Sequence, residues 1–435
     1  MIGTGSLSRH AAVGLVLLAC AGCGGGSVSP VAAASAPAPT PTPDLGPPNI
    51  VLILADDLGW GDLSSYGNPS IKTPNIDRLA SEGMRFTSFY VPAPVCAPSR
   101  ASLMTGQWPP RTGIRWNPPK QLYGDEVVIA QVLHDSGYAT GMVGKWHLGW
   151  TADQMPIHWG FDYFYGVASG EDESDFVLGD QPTTDTVSPD QFAKRYTDYA
   201  LKFIEANKDR RFFMYIAHRD PHLPNQPAPE FAGRSGVGAY GDVVEQLDWA
   251  VGQLMTGLHE LGVDQNTLVV FTSDNGPPVP PGSTGPFNGA KASCEEGGVR
   301  VPGIVWWPPR VRAGRVVDEP ASTLDLFPTF VKLAGATLPN RRYDGQDISG
   351  LLTGQVEKIG GAGIDGGREI MFWQHDGLPG GLRSGKWKYL RPGFWNYAPT
   401  LFDLSVDPGE RTDLSGVHPE LVRQLDQRID ELLSH

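Results

Sequence analysis

The chain has 435 residues, enough for one large domain and a smaller companion, and its 40% hydrophobic content suits a substantial core. Thirty-four basic against forty-eight acidic residues leave a net charge of −14. That argues against nucleic acid as the main partner and means that an anionic ligand must be drawn by a local cluster of cations.

Residues 1–23 read as an export signal. Arg9 is a weak basic start, and Ala11 to Ala19 is an apolar stretch too short to span a bilayer. The run Leu17-Leu18-Ala19-Cys20-Ala21-Gly22-Cys23-Gly24 resembles a bacterial lipoprotein signal. It implies an exported chain, in the periplasm or at the cell surface, lipid-anchored at Cys20 or Cys23. An ordinary cleaved signal peptide is the alternative. Residues 24–47, built from small residues and repeated Ala-Pro and Thr-Pro pairs, read as a disordered tether. Only Cys96 and Cys294 remain beyond the signal region, so the body carries at most one disulfide.

Asn49 to Ala55 is an apolar, β-branched run ending in Asp56 and Asp57, the pattern of a buried parallel strand whose carboxyl end faces a ligand. Paired carboxylates there repel unless a cation holds them together. Leu58-Gly59-Trp60-Gly61-Asp62 reads as a tight packed loop, and Pro74 to Gly83 as a helix with Pro near its start and Gly at its end. Next comes Cys96-Ala97-Pro98-Ser99-Arg100, entering a helix-like segment. A helix start presents free N–H groups and a positive dipole end, and Arg100 adds a fixed charge. An inert buried cysteine, or a Cys96–Cys294 disulfide, is the competing reading.

Val127 to Gly137 reads as a helix and Tyr138 to Val143 as a strand leading to Gly144-Lys145-Trp146-His147-Leu148-Gly149, where extended backbone points Lys145 and His147 the same way. Residues 160–190 read as a long loop at the substrate rim, and Gln191 to Asn207 as a helix. The strand Phe212 to Ala217 leads into His218-Arg219-Asp220-Pro221-His222, which lacks zinc-site spacing. Val243 to Gly262 has helical periodicity. Thr267 to Ser273 repeats the first theme, an apolar strand ending in Asp274 and Asn275. Asp56, Asp57, Asp274 and Asn275 make an all-oxygen set that suits Ca²⁺ or Mg²⁺. Arg300 reads as a structural ion-pair partner, and Ala321 to Ala336 as a helix. The glycine-rich break at 360–367 separates a body of residues 48–360 from a part of residues 361–435, where Arg383 to Leu390 and Thr400 to Leu404 alternate as antiparallel strands and Pro419 to Leu433 closes as a helix.

The Cys-x-Pro-Ser-Arg run, Asp56 to Asp62, Thr73 to Ala80, Gly144 to Gly149, Pro221-His222-x-Pro224 and the Glu-Gly-Gly-x-Arg-Val-Pro run ending at Pro302 resemble the type I, formylglycine-dependent sulfatases of the alkaline phosphatase superfamily. The likeness runs from about residue 48 to the C-terminus and is nearest the arylsulfatase and N-acetylgalactosamine-6-sulfatase group. It implies an α/β fold: a large, central, mixed but mostly parallel sheet flanked by helices, with a smaller C-terminal antiparallel sheet plus helix. It implies that a formylglycine-generating enzyme oxidises Cys96, whose product joins Asp56, Asp57, Asp274 and Asn275 on one Ca²⁺, Mg²⁺ being open. Arg100, Lys145 and Lys291 would hold the sulfate, His147 would assist its release, and His222, with His218 and Arg219 as neighbours, would protonate the leaving oxygen. The substrate would be a sulfated small molecule or glycan, with aryl sulfates as models, and the only membrane contact a lipid anchor. Glu295, where an aromatic is usual, and Cys294 depart from the pattern. A phosphonate monoester or phosphodiester hydrolase using the same groups, or a non-catalytic glycan-binding surface lipoprotein, is the alternative.

Overall fold

The computed structural model describes residues 45–117, 121–168, 176–179, 181–183, 187–394 and 396–434. The signal-like segment and nearly all of the tether lie outside them, as do parts of the 160–190 segment. The last tether residues are already docked: the Leu45 carbonyl accepts from Arg211 Nη2 at 2.9 Å and Asn266 Nδ2 at 2.8 Å.

The strands are β1 (Asn49–Ala55), β2 (Met84–Tyr90), β3 (Ala139–Lys145), β4 (Tyr163–Val167), β5 (Phe176–Leu178), β6 (Gln181–Pro182), β7 (Phe212–Ala217), β8 (Thr267–Ser273), β9 (Arg300–Trp306), β10 (Arg315–Val317), β11 (Ala321–Ser322), β12 (Glu369–Trp373), β13 (Pro379–Ser384), β14 (Trp387–Leu390) and β15 (Thr400–Asp403). The first eleven form one sheet in the order β10-β2-β9-β8-β1-β7-β3-β4-β5-β6, with β11 also on β2. Pairing is parallel from β8 through β1, β7 and β3 to β4, and β9 runs antiparallel to both its neighbours.

β1 shows why the sheet needs helices on both faces. Its seven residues are all buried, and alternate side chains go to opposite layers. Ile50, Leu52 and Leu54 join one core with Phe327 and Phe330 of the helix Leu326–Leu333. Val51, Ile53 and Ala55 join another with Val244, Leu247 and Val251 of the helix Ala239–Glu260. The register pairs Leu54 with Ala217, Ala55 with Ser273 and Gly144 with Ala217. β1, β3, β7 and β8 therefore finish level at one edge, and the residues that follow them converge.

β12 to β15 form a separate antiparallel sheet, closed by the helix Pro419–Ser434, which buries Leu425 and Ile429 beside Leu382, Tyr389 and Leu401. Its contact with the larger sheet is ionic as well as apolar: Lys388 Nζ meets Glu296 at 2.8 Å and Glu410 at 2.9 Å, and Arg300 meets Glu296 at 2.9 Å. Arg300 is thus the structural ion-pair partner that the sequence suggests.

Three expectations change. The 160–190 segment holds β4, β5 and β6 and so extends the sheet, because the aromatic run Tyr163-Phe164-Tyr165 is half to fully buried against β3. The helix read from Val243 begins at Ala239. Ala321 to Ala336 divides into β11, a 3-10 turn at Thr323–Asp325 and the helix Leu326–Leu333, since Ser322 and Asp325 form a capping box that starts a new helix.

Candidate active site

The converging strand ends assemble a buried knot of charge. The register that sets Ala55 beside Ser273 leads Asp56 and Asp57 off β1 next to Asp274 and Asn275 off β8. Asp57 sits in the left-handed region at φ +65°. Its backbone N–H donates to Asp274 Oδ1 at 3.1 Å, and its Oδ1 accepts from Asn275 Nδ2 at 2.7 Å. Cys96 opens the helix Cys96–Thr105 after the extended Val95, with its thiol 3.4 Å from Asp56 Oδ1 and 3.8 Å from Asp57 Oδ1. Asn117 supplies a part the sequence did not announce: its Oδ1 accepts from the N–H of Ala97 at 3.0 Å and fixes the helix start.

Cations answer the carboxylates. Lys145, the last residue of β3, places Nζ 2.5 Å from Asp56 Oδ2, and Lys291 places Nζ 2.7 Å from Asp57 Oδ2. Arg100 is wholly buried and donates to Asp274 Oδ2 at 2.8 Å and to the Lys145 carbonyl at 2.8 Å, with Asp56 Oδ2 at 3.5 Å. Its guanidinium pairs with the acids, as Lys145 and Lys291 do, and its Nη2 is buried without a full hydrogen-bond partner. It holds the acidic residues in place.

These neighbours set the ionisation. Burial alone would raise Asp56, but Lys145, His222, Arg100 and Lys291 hold it well below the usual carboxylate range. Burial, with Asp56 beside it, pushes Asp274 up to about 7 despite Arg100. Burial also raises the Cys96 thiol well above its ordinary value, so an unmodified Cys96 is a protonated, poor nucleophile.

His147 and His222 reach the site from separate loops. His147 adopts φ +60°, so β3 does not continue as extended backbone through it, and the kink rather than a shared extended face directs its ring inward. Its Nδ1 is buried without a partner, and burial together with Lys145 and Arg100 keeps the ring neutral. His222 follows β7; its Nδ1 faces the Leu223 carbonyl at 2.7 Å and must be the donor there, while Nε2 lies 3.8 Å from Asp57 Oδ2. His218 and Arg219 make contacts of their own. His218 packs against the Tyr196 ring, centroids 6.0 Å apart, and Arg219 turns back on the carbonyls of Leu223 and Pro224.

The site suits a hard cation. One ligand atom each from Asp56, Asp57, Cys96 and His222 lies within 4.8 Å of the others, and Asn275 Oδ1 is buried without a hydrogen-bond partner. Carboxylate and amide oxygens are the donors that calcium and magnesium take. His222, read from the sequence as a proton donor, stands within this cluster.

Cys96 and Cys294 are both buried free thiols, so no disulfide joins them. Cys294 instead packs toward the smaller sheet, where a Cβ placed on Gly380 would lie 2.5 Å from its Sγ. Sequence reasoning also left Asp62 and Tyr240 without a role. The Tyr240 hydroxyl donates to Asp62 Oδ2 at 2.5 Å, and Asp62 accepts from the N–H groups of Gly59 and Ser283 at 2.7 and 2.8 Å, bracing the loop just past Asp57.

Comparison with known proteins agrees with this geometry. Residues 48–336 match the family model described as Sulfatase. Arylsulfatase A of Homo sapiens is 38% identical across 88% of this chain and 87% of its own length. N-acetylgalactosamine-6-O-sulfatase of Bacteroides thetaiotaomicron is 32% identical across 88% of this chain and 93% of its own length. Among solved structures, Ps i-CgsB in complex with k-i-k-neocarrahexaose superposes with a TM-score of 0.81 at 30% identity, over 89% of this chain and 92% of that one. The acids of β1 and β8, the cysteine that opens its helix and the lysines that close over them therefore have a common explanation: this chain belongs to the sulfatase family and is a hydrolase of sulfate esters.

Proposed function

We propose that the chain removes sulfate from carbohydrate esters, with Cys96 matured to formylglycine and a divalent cation held by Asp56, Asp57, Asp274 and Asn275. The observation that carries the reading is the packing of Asp56, Asp57, Cys96 and His222 ligand atoms within 4.8 Å, under Lys145 and Lys291. A hard cation there would polarise the sulfate oxygens, and formylglycine would supply, as its hydrate, the hydroxyl that attacks sulfur. Lys145 and Lys291 bring fixed positive charge to an anionic group that a chain of net charge −14 would otherwise repel. As the sulfur–oxygen bond to the sugar breaks, the leaving oxygen needs a proton. His222 holds Nδ1–H on the Leu223 carbonyl, so the proton it delivers is the one that the doubly protonated ring carries on Nε2. His147, with its partnerless Nδ1, offers a proton acceptor on the other side.

The names of two relatives support a carbohydrate, one a sulfatase of N-acetylgalactosamine and the other solved with neocarrahexaose. So do exposed apolar side chains on the site-bearing segments: Trp116 is 44% exposed beside Asn117, Trp150 is 50% exposed after His147, and Leu223 is 53% exposed beside His222. The two tryptophans offer flat aromatic faces of the kind that stack on sugar rings. The N-terminal segment supports export and a lipid anchor at Cys20 or Cys23, which would hold the enzyme at a surface where sulfated glycans arrive.

Mass spectrometry of the Cys96 peptide tests the maturation, since conversion replaces thiol by aldehyde. Turnover of an aryl sulfate beside an aryl phosphonate tests the reaction. The expected result is an aldehyde at position 96, sulfate turnover well above phosphonate turnover, and near-complete loss in Cys96→Ala. A thiol at position 96 in fully active protein overturns the proposal.

A further inference from the structure

Lys145 and Lys291 reach the carboxylates from unlike supports. Lys145 ends β3, and its side chain is 2% exposed. Lys291 lies in the connection between β8 and β9, residues 274–299, whose regular structure is confined to the short helix Glu296–Val299, and its side chain is 23% exposed. A lysine on an irregular segment keeps one position only where the segment itself is tied down. Two ties are close at hand: the Lys291 N–H donates to the Pro277 carbonyl at 2.9 Å, and the Ala292 N–H to the Pro94 carbonyl at 2.9 Å.

A third tie runs through Asp62. The segments 57–62 and 283–291 lie side by side and are joined at both ends. At one end Lys291 Nζ meets Asp57 Oδ2 at 2.7 Å. At the other, Asp62 Oδ1 accepts from the Ser283 N–H at 2.8 Å, and the Gly61 N–H donates to the Ser283 carbonyl at 2.9 Å. Between the ends the Trp60 ring stands edge-on to Phe287, centroids 4.8 Å apart. The approach leaves no room for a side chain, since a Cβ on Gly61 would lie 2.2 Å from the Gly285 nitrogen. Asp62 Oδ2 accepts from the Gly59 N–H at 2.7 Å and from the Tyr240 hydroxyl at 2.5 Å, and that hydroxyl lies 3.3 Å from the Asp57 carbonyl. One buried carboxylate thus links the Asp57 segment, the Lys291 segment and the helix Ala239–Glu260.

We propose that Asp62 is a positioning residue for sulfate hydrolysis: it seats Lys291 over Asp57, and the Tyr240 hydroxyl holds Asp62 in place. The inference rests on the reading of Lys291 as a cation that grips the sulfate, and Asp62 acts through that lysine rather than on the sulfate. An amide at position 62 could accept through one atom only. Its NH2 would then face either the Ser283 N–H or the Gly59 N–H and Tyr240, and one side of the link would open. Lys145, carried by β3, would stay where it is.

The test places Asp62→Asn, and separately Tyr240→Phe, in three versions of the full chain: unmutated, Lys291→Met and Lys145→Met. kcat/KM is measured with p-nitrophenyl sulfate, and calorimetry follows the binding of inorganic sulfate. Urea unfolding shows which variants are folded, and Tyr240→Phe, which loses a single hydroxyl, carries the same comparison where Asp62→Asn does not fold. A displacement of about 1 Å can cost about 10²-fold, so Asp62→Asn should lower kcat/KM by roughly 10–100-fold in the unmutated and Lys145→Met chains, and Tyr240→Phe by less. In Lys291→Met neither change should matter by more than about twofold, because the group they position is gone. Sulfate affinity should follow the same pattern. A purely structural part would lower kcat/KM by one factor in all three chains, and that result, or no loss from either change in the unmutated chain, overturns the proposal. Full turnover in Lys291→Met is a different failure: the sulfate-gripping reading of that lysine falls, and the positioning role with it.

Discussion

Asn275 gives its amide to Asp57 Oδ1 at 2.7 Å while its own Oδ1 stays buried with no partner. An orphaned buried acceptor costs about 1–3 kcal/mol, and among carboxylates it is the mark of an oxygen meant for a cation. Chelation should therefore abolish turnover and lower the melting temperature together, and added Ca²⁺ or Mg²⁺ should restore both. Asn275→Ala should fold and need roughly tenfold or more of the ion for the same recovery. Turnover and melting temperature that both ignore exhaustive chelation would remove the metal from the account.

The Leu223 carbonyl holds Nδ1–H of His222, so as a proton donor the ring must be the imidazolium and release the proton from Nε2. A proton donor matters most for a poor leaving group. His222→Ala should lose roughly 10²–10³-fold on sugar sulfates and much less on aryl sulfates whose phenols leave unaided. The slope of log kcat against leaving-group pKa should steepen in the variant. A uniform loss across leaving groups would instead make His222 a binding group or a metal ligand.

The parts of the site that sequence could show were those whose chemistry is local. Apolar runs ending in Asp56-Asp57 and Asp274-Asn275 announce strands that stop at a ligand, and the alternation around Trp387 to Leu390 announces the second sheet. Direction was not legible. Arg100 announces a charge, but its pair with Asp274, 174 positions away, is invisible in the local sequence. His147 reaches the site through a left-handed kink, not through the extended face that a Lys-x-His spacing suggests. Asn117 and Tyr240 act on residues 20 and 183 positions away, and nothing in their own neighbourhoods marks them. β5 and β6 are too short to show periodicity.

Cys294 faces Gly380 across the sheet boundary. A methyl group there would come within 2.5 Å of the sulfur and 3.2 Å of the Gln374 backbone nitrogen. Gly380→Ala should destabilise the chain by about 1–3 kcal/mol, and because Cys294 lies three residues after Lys291, it should also lower sulfatase activity. Cys294→Ala alone should be mild. In the double variant the removed sulfur makes room for the methyl, so most of the stability should return. Additive effects in that cycle, measured by urea unfolding, would show that the two residues do not meet.

His218, read from the sequence as a neighbour of the proton donor, is buried against the Tyr196 ring. Burial pushes its pKa down to about 4, with no carboxylate to offset the loss of water. In the unfolded chain the same ring titrates near 6.5. Between these values the unfolded state binds a proton that the folded state refuses, so stability rises with pH from about 4 to 6.5 and is lost as the pH falls through that window. The full contribution is about 3 kcal/mol, since each pKa unit is worth 1.36 kcal/mol. His218→Gln should fold less sensitively to acid. The gap between its unfolding free energy and that of the unmutated chain should shift steadily in the variant's favour between pH 6.5 and 4, on top of the acid loss both share from other groups. A gap that stays flat across that range would mean that His218 takes its proton as readily folded as unfolded.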